Sequence, residues 1–310
     1  MTSSPSGLLI IDKPRGPTSH DVVVRIRRTL NTRSVGHAGT LDPMATGVLV
    51  VMVGACTKLS RFLVLEEKKY RATVGLGTAT DTLDAEGQVT REAPIPQALI
   101  EALEQGKTSA LLTRLLEVER ARMKQIPPNH SAIKTQGVAS YKRARRGETL
   151  QLPARFVKVH ALTIEATRLT PPELDFELHV SKGYYVRSLA RDVGKELGVP
   201  AHLTSLRRIQ SGVWGLKDAV SLDANAETMV ASMIALEKVA GDLLASVQLT
   251  ETGKRKALFG QPMTDEDFES PPGQEPTAWF GPNGKLIAVG DRSRDRPTVL
   301  RAFLHAEQMC

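Results

Sequence analysis

The longest uninterrupted apolar stretch of the chain, residues 47–55 (GVLVVMVGA), is nine residues long. A helix needs about 20 residues to cross a bilayer, so this stretch reads as a fully buried strand or helix inside a folded core. At 310 residues the chain can hold one large domain plus a small one, or two medium ones. Its two cysteines, Cys56 and Cys310, offer neither a disulfide framework nor a metal-ligand spacing. The first residues carry no charged region ahead of their apolar run. No signal peptide is expected, and the reducing cytoplasm is the expected location.

Around that stretch the pattern alternates between strands and helices. Residues 7–11 are β-rich and end at Asp12-Lys13-Pro14, a strand running into a turn. Thr18 or Ser19 can cap a helix whose apolar stripe is Val22, Val23, Ile26 and Leu30. Residues 36–39 read as a glycine loop, 70–76 as a strand and 81–87 as a polar turn. Two short helical patterns occupy 95–117. Residues 156–166 and 174–180 alternate like antiparallel strands. Residues 188–197 form a helix stopped by Gly198-Val199-Pro200, and 226–247 read as a longer helical stretch. Beyond it an acidic, proline-rich loop at 265–276 separates strand patterns at 278–280, 286–289 and 298–304. These features predict an α+β protein, with a domain boundary near residue 247 and no internal repeat.

Charge is distributed unevenly. Residues 1–247 carry 33 Lys and Arg against 25 Asp and Glu, whereas 248–310 carry 8 against 9. The basic excess therefore lies on the larger, N-terminal part, where a polyanion would find counter-charges. Its densest segment runs from Arg120 to Arg146, with eight basic residues, no acidic one, and Pro127-Pro128 and Gly137 as breakers. A charge run of this kind is either a solvated face or, because a loop without counter-charges repels itself unless an anion approaches, a nucleic-acid contact.

Three short segments hold most of the reactive side chains. In His37-Ala38-Gly39-Thr40-Leu41-Asp42-Pro43 the Asp-Pro pair could simply begin a helix, Asp42 as cap and Pro43 as first residue. In Lys68-Lys69-Tyr70-Arg71 an aromatic opens a strand. In the third, residues 181–189, a strand ends at Gly183 and Arg187 enters a helix, where it could pair with a carboxylate from elsewhere or lie on the surface.

Together these segments resemble the bacterial tRNA pseudouridine-55 synthases, the stand-alone enzymes of the TruB family. GLLIIDKPRGPTSHDVV, VGHAGTLDPMATGVLVV, EKKYRATVGLGTATDTLDAEG, QIPPNHSAIK, YKRARRGE, SKGYYVRSLARDVG and LTSLRRIQSGVW follow the family pattern in order, across about residues 7–215. A weaker similarity in 249–305, with FGPNGKLIAVGD, looks like the small β-barrel PUA module that often follows this domain. The chain departs from the pattern at His130, where Tyr is usual, and at Tyr184, where Thr is usual.

The resemblance implies a pseudouridine synthase catalytic domain over 1–247, with a mixed, mostly antiparallel sheet flanked by helices. A PUA-like β-barrel would follow over 248–310. It makes Asp42 the nucleophile, Arg187 its ion-pair partner and Tyr70 the ring stacked on the target base. His37 would fill the gap left by the flipped nucleotide. Tyr185 and Leu206 would line the uracil pocket, and Lys13 and Asp84 would belong to the polar shell. The basic segment, about 119–148, resembles a tRNA-gripping thumb in which Lys134, Arg143, Arg145 and Arg146 would meet the RNA backbone. The implied partner is the T-arm of tRNA, with no membrane, guide RNA or obligate protein partner, and the chain is expected to act as a monomer.

The chemistry suits these residue types. Isomerising uridine breaks the C1′–N1 bond, turns the base and joins C5 to C1′, with no redox change and no net hydrolysis. Neither cofactor nor metal is implied. It needs a carboxylate kept ionised by a neighbouring cation, an aromatic face for a base drawn from the stack, and an apolar shell such as Leu41, Val186 and Leu206. Two other readings use some of the same features: an RNA binder without chemistry, and the guide-RNA-dependent relative found in ribonucleoprotein particles. A pure binder has no use for Asp42, Tyr70 and Arg187 together, and the basic segment argues against the guided form.

Overall fold

The computed structural model describes residues 5–64, 66–131, 134, 135, 138–140, 143 and 152–303. Its strands begin with β1 (Gly7–Lys13), β2 (Val35–Ala38), β3 (Thr46–Val53) and β4 (Lys68–Leu76). A hairpin follows, β5 (Thr78–Thr80) with β6 (Val89–Glu92). Next come β7 (Lys124–Gln125), β8 (Lys134–Thr135), β9 (Val138–Ala139), β10 (Arg155–Phe156), β11 (Val159–Leu169) and β12 (Pro172–Val180). The rest are β13 (Ala201–Ser211), β14 (Trp214–Gly215), β15 (Val220–Ser221), β16 (Ile234–Ala235), β17 (Ser246–Gln248), β18 (Thr277–Phe280), β19 (Leu286–Arg294) and β20 (Arg296–Ala302).

Ten of these strands make one mixed sheet, whose central path is β11-β12-β4-β13-β3-β1-β15. Most neighbours are antiparallel; β3 with β13 and β1 with β15 are parallel. The apolar stretch from the sequence becomes β3, and the sheet's architecture explains why it is apolar throughout. Successive strand residues face opposite sides. Leu49, Val51 and Val53 enter one core, whereas Val48, Val50 and Met52 enter another on the opposite face. β1 divides in the same way, Leu9 and Ile11 against Leu8 and Ile10. Both faces are covered, so neither face of β3 can be polar.

The first core is closed by helices α1 (Ser19–Thr29), α3 (Gln97–Gln105), α4 (Ala110–Arg120) and α5 (Val186–Leu197), after the single turn α2 (Ser60–Leu63). α1 presents the expected stripe Val22, Val23 and Ile26, and Thr18 caps it in a reciprocal box with Asp21. α5 ends as the sequence suggests, at Gly198 in the left-handed region (φ 73°). Gly47 is a position only glycine can fill: its φ is +98°, and a Cβ there would lie 2.2 Å from the Arg208 carbonyl oxygen.

Two expectations fail. Residues 226–247 are not one helix: α6 (Ala226–Ala231) stops, β16 pairs with the edge of β1, and only then does α7 (Leu236–Leu243) begin. Residues 36–38 belong to β2, paired antiparallel to β3, instead of forming a loop. The edge of β3 offers hydrogen-bond partners that glycine-rich composition does not reveal.

At the C-terminal end β17, β18, β19 and β20 form a four-stranded sheet beside α8 (Glu251–Leu258). Its inner residues Leu249, Trp279 and Ile287 make a small core of their own. Ala278, Leu286, Val289 and Phe303 instead join the second core with β1, β3 and α7. Lys58 strengthens this contact, donating to the Ala302 carbonyl at 2.8 Å and lying over the Phe303 ring.

Candidate active site

Asp42 lies in the turn between β2 and β3. The Ala45 N–H donates to its carbonyl at 3.1 Å, and the chain then enters β3 directly. No helix starts here, so Asp42 caps none and its carboxylate is free for other work. Both neighbours are held. Ser19 bonds both backbone groups of Leu41. The Pro43 carbonyl accepts from the Gly16 N–H at 2.9 Å and from Lys13 Nζ at 3.3 Å. Lys13 is fully buried, its ammonium also donating to the Pro14 and Pro17 carbonyls at 2.9 and 2.8 Å. Burial pulls that ammonium down to about 8, against the charges of Glu86 and Asp42.

Arg187 reaches this turn from the first turn of α5. Its Nη2 donates to Asp42 Oδ1 at 3.0 Å. Nε lies 2.9 Å from Oδ2, but its N–H points off that line, so this contact is an ion pair without a directed hydrogen bond. The remaining donors tie in two further segments: Nη1 to the Thr82 carbonyl at 3.1 Å, and Nη2 to the His130 carbonyl at 2.8 Å. Nη1 also stands 3.4 Å from Asp84 Oδ2. Asp84 is fixed in turn, its Oδ1 accepting from Thr82 Oγ1 at 2.6 Å and the Glu86 N–H at 3.1 Å.

The Arg187 side chain is 7% exposed and that of Asp42 is 32% exposed, so the guanidinium forms the floor and the carboxylate the open side. Desolvation by the surrounding protein raises the Asp42 pKa. Arg187 opposes that rise, while Asp84 adds to it.

Leu41 and Val186, the chain neighbours of Asp42 and Arg187, are 3% and 5% exposed, and Tyr70 and Leu206 are 8% and 6% exposed; all four belong to the large core on one side of the sheet. Tyr185 precedes α5, its N–H donating to Gln125 Oε1 at 2.9 Å. Burial raises its phenol pKa, with Arg155 and Arg187 pulling the other way. His37 is half-buried on β2; its Nδ1 is buried with no hydrogen-bond partner among the described residues, and burial and Arg208 lower its pKa. Lys134 opens β8 and Arg143 is half-buried, whereas Arg145 and Arg146 lie outside the described residues.

Several supporting residues escaped the sequence reading. Arg208 is 1% exposed and donates to the Val48 carbonyl at 2.6 Å and the Gly39 carbonyl at 3.1 Å, holding β3 and the loop before Asp42. Lys68 is buried beside it, bonded to the Val64 and Glu66 carbonyls. Ser19, Thr82 and Gln125 complete the scaffold. Basic or polar residues next to apolar ones were the only local signal for any of them. Among the described residues no group of three or more His, Cys, Asp or Glu is placed to hold a metal ion.

The family model described as TruB family pseudouridylate synthase (N terminal domain) matches residues 27–186, over half of the chain. The chain belongs to the TruB family. A model of the tRNA pseudouridylate synthase B C-terminal domain follows over residues 187–247. Among curated TruB relatives, the tRNA pseudouridine synthase B of Thermobifida fusca is 41% identical, over 96% of this chain and 98% of its own. That of Mycobacterium bovis is 42% identical over 98% and 99%. The pseudouridine synthase fold also recurs in the solved Cbf5-Nop10-Gar1 complex. There the match has a TM-score of 0.70 at 22% identity, covering 97% of this chain and 86% of that one.

Proposed function

We propose that this chain isomerises one uridine in the T-arm of tRNA to pseudouridine, at the position 55 that its family targets, with Asp42 as nucleophile. It would act as a monomer without a guide RNA. The observation that carries the reading is the Asp42–Arg187 pair: a carboxylate that caps nothing, open on one side and matched to a buried cation. The tRNA assignment rests on relatives named tRNA pseudouridine synthase B that align end to end with it at 41–42% identity.

In this reading the target nucleotide leaves its stack, at a cost of about a few kcal/mol, and the Tyr70 ring takes up one face of the base. Asp42 attacks as the C1′–N1 bond breaks, and Arg187 holds it ionised and aimed. The freed base turns, C5 bonds to C1′ as the Asp42 carboxylate is released, and the C5 proton is lost while N1 gains one. Leu41, Val186 and Leu206 keep water from the cleaved intermediate, which would otherwise hydrolyse.

The experiment is Asp42→Asn, which keeps the side-chain shape and removes the negative charge. Turnover, read as tritium released from C5-labelled uridine in a T-arm transcript, should vanish. Filter binding on the same samples should stay within about tenfold, because phosphate contacts dominate affinity. Clear multiple turnover by Asp42→Asn, free of deamidated Asp, would falsify the mechanism.

A further inference from the structure

Aromatic residues make up only 4% of the sequence, and Phe156 is spent where burial does not use it. It is 77% exposed on β10, a two-residue strand at the far end of the basic segment. β10 pairs antiparallel with β7, Arg155 opposite Gln125 and Phe156 opposite Lys124. The Val157 N–H continues the ribbon by donating to the Met123 carbonyl at 3.0 Å.

Alternation gives this ribbon two faces. Gln125, 2% exposed, looks inward and accepts from the Tyr185 N–H, two residues from Arg187. Phe156, Lys124 and the 52% exposed Ile126 look outward. The Lys124 ammonium lies over the Phe156 ring, 5.0 Å from its centroid. The ribbon is also tethered: the Ile126 carbonyl accepts from Ser188 Oγ at 2.9 Å and Arg191 Nη2 at 3.1 Å, both on α5. Its outer face is therefore held beside the site by the same helix that carries Arg187.

A lone exposed apolar side chain is ordinary on a protein surface. Here the aromatic is paired with a cation, fixed on a strand and set in basic surroundings. Lys124 has no carboxylate partner among the described residues. A second copy of this chain, net +7 and carrying the same eight basic residues at 120–146, would meet repulsion at this face. A polyanion with flat, unstacked rings satisfies both halves of the surface, cation to phosphate and ring to base.

We propose that the outer face of the β7–β10 ribbon is an RNA-contact surface outside the basic segment's own arginines, on which Phe156 stacks against an unstacked base of the substrate RNA. This rests on the reading that the substrate is a tRNA.

The test uses the full chain with a full-length tRNA transcript. Phe156→Ala should weaken binding about fivefold or more, the low end for loss of one stacked base, while Phe156→Tyr binds like the wild type. The salt dependence of Phe156→Ala should match the wild type, since no phosphate contact is removed. Phe156→Trp supplies a direct reporter, because Trp214 and Trp279 are 4% and 0% exposed and the wild type serves as blank. Its emission should be quenched at saturating tRNA. Wild-type affinity in Phe156→Ala, or unchanged Trp emission in a complex retained on the filter, would overturn the proposal and leave the tRNA reading standing. Loss of self-association in Phe156→Ala with tRNA affinity intact would assign the patch to protein and overturn it as well. A wild-type chain that neither retains nor modifies tRNA would take both readings down.

Discussion

Ser19 holds both backbone groups of Leu41, the residue ahead of Asp42: its hydroxyl donates to the carbonyl at 3.1 Å and accepts from the N–H at 2.8 Å. Ser19 is 1% exposed, so both bonds lie away from bulk water. Ser19→Ala should strand a buried donor and acceptor, at about 1–3 kcal/mol for a group so left, and lower the melting temperature. More telling, kcat should fall while KM for tRNA stays close to wild type, because the loosened backbone aims Asp42 and touches no phosphate. Equal kcat in the two proteins would show that the turn is held well enough by Lys13 and Gly16.

Lys68 gives a prediction about stability. Its buried ammonium is pushed down to about 8 by desolvation, with Arg208 adding to the effect and Glu66 opposing it. Below that value it is charged in both the folded and unfolded chain. Between about 8 and the ordinary 10.5 the unfolded chain holds the proton and the folded one does not, so this group favours folding increasingly as pH rises. Lys68→Met lacks that contribution. Urea unfolding at pH 7.5 and 9.5 should show the wild type gaining on Lys68→Met at the higher pH. Parallel profiles would mean that the ammonium is solvated after all.

Much of this architecture is written locally. The apolar run of β3, the capped stripe of α1 and the Gly198 stop of α5 each depend on residues within a few positions. What local pattern could not give was pairing at a distance. The stripe through Met229, Leu236 and Val239 suggests one helix, yet Ile234 and Ala235 leave it to pair with Leu8 and Gly7. His37 likewise sits in glycine-rich sequence but is drawn into β2 by Val51. At the site, Asp42 and Arg187 stand 145 positions apart, so only a whole-chain pattern could suggest them as partners. The burial of Arg208 is a property of the sheet around it, invisible in the run Leu206-Arg207-Arg208.

The basic segment should act through phosphates. Replacing Arg143, Arg145 and Arg146 with Ala should weaken tRNA binding and flatten the slope of log K against log salt by roughly 0.7–0.9 per lost contact. Turnover at saturating tRNA should change much less. Binding measured across a salt series decides the matter, and an unchanged slope would remove these arginines from the interface.

Tyr70 is 8% exposed within the large core on one side of the sheet, and its hydroxyl has no hydrogen-bond partner among the described residues. If its ring stacks on the base, Tyr70→Phe should remain substantially active and Tyr70→Leu should lose most of its kcat. Tritium release separates the cases. A Tyr70→Phe protein as inactive as Tyr70→Leu, with RNA still bound, would assign the hydroxyl to proton transfer.

Asp84 shares the Arg187 guanidinium with Asp42, standing 3.4 Å from Nη1, and this arrangement has a sign that can be measured. If Asp42 is the nucleophile, it must be ionised to attack, and kcat/KM then falls as pH drops through its pKa. Desolvation places that pKa above the ordinary 3.8, and the negative charge of Asp84 lifts it further. Asp84→Asn removes the charge but can still accept from Thr82 and the Glu86 N–H through the same oxygen. The acidic limb of kcat/KM should therefore move to lower pH. The plateau should also drop, because Arg187 loses one of the groups that hold it in place. Circular dichroism at each pH keeps unfolding apart from titration. A limb that stays where it was belongs to another group. One that moves to higher pH would mean that disturbing Arg187 outweighs removing the charge, making Asp84 chiefly the support of the arginine.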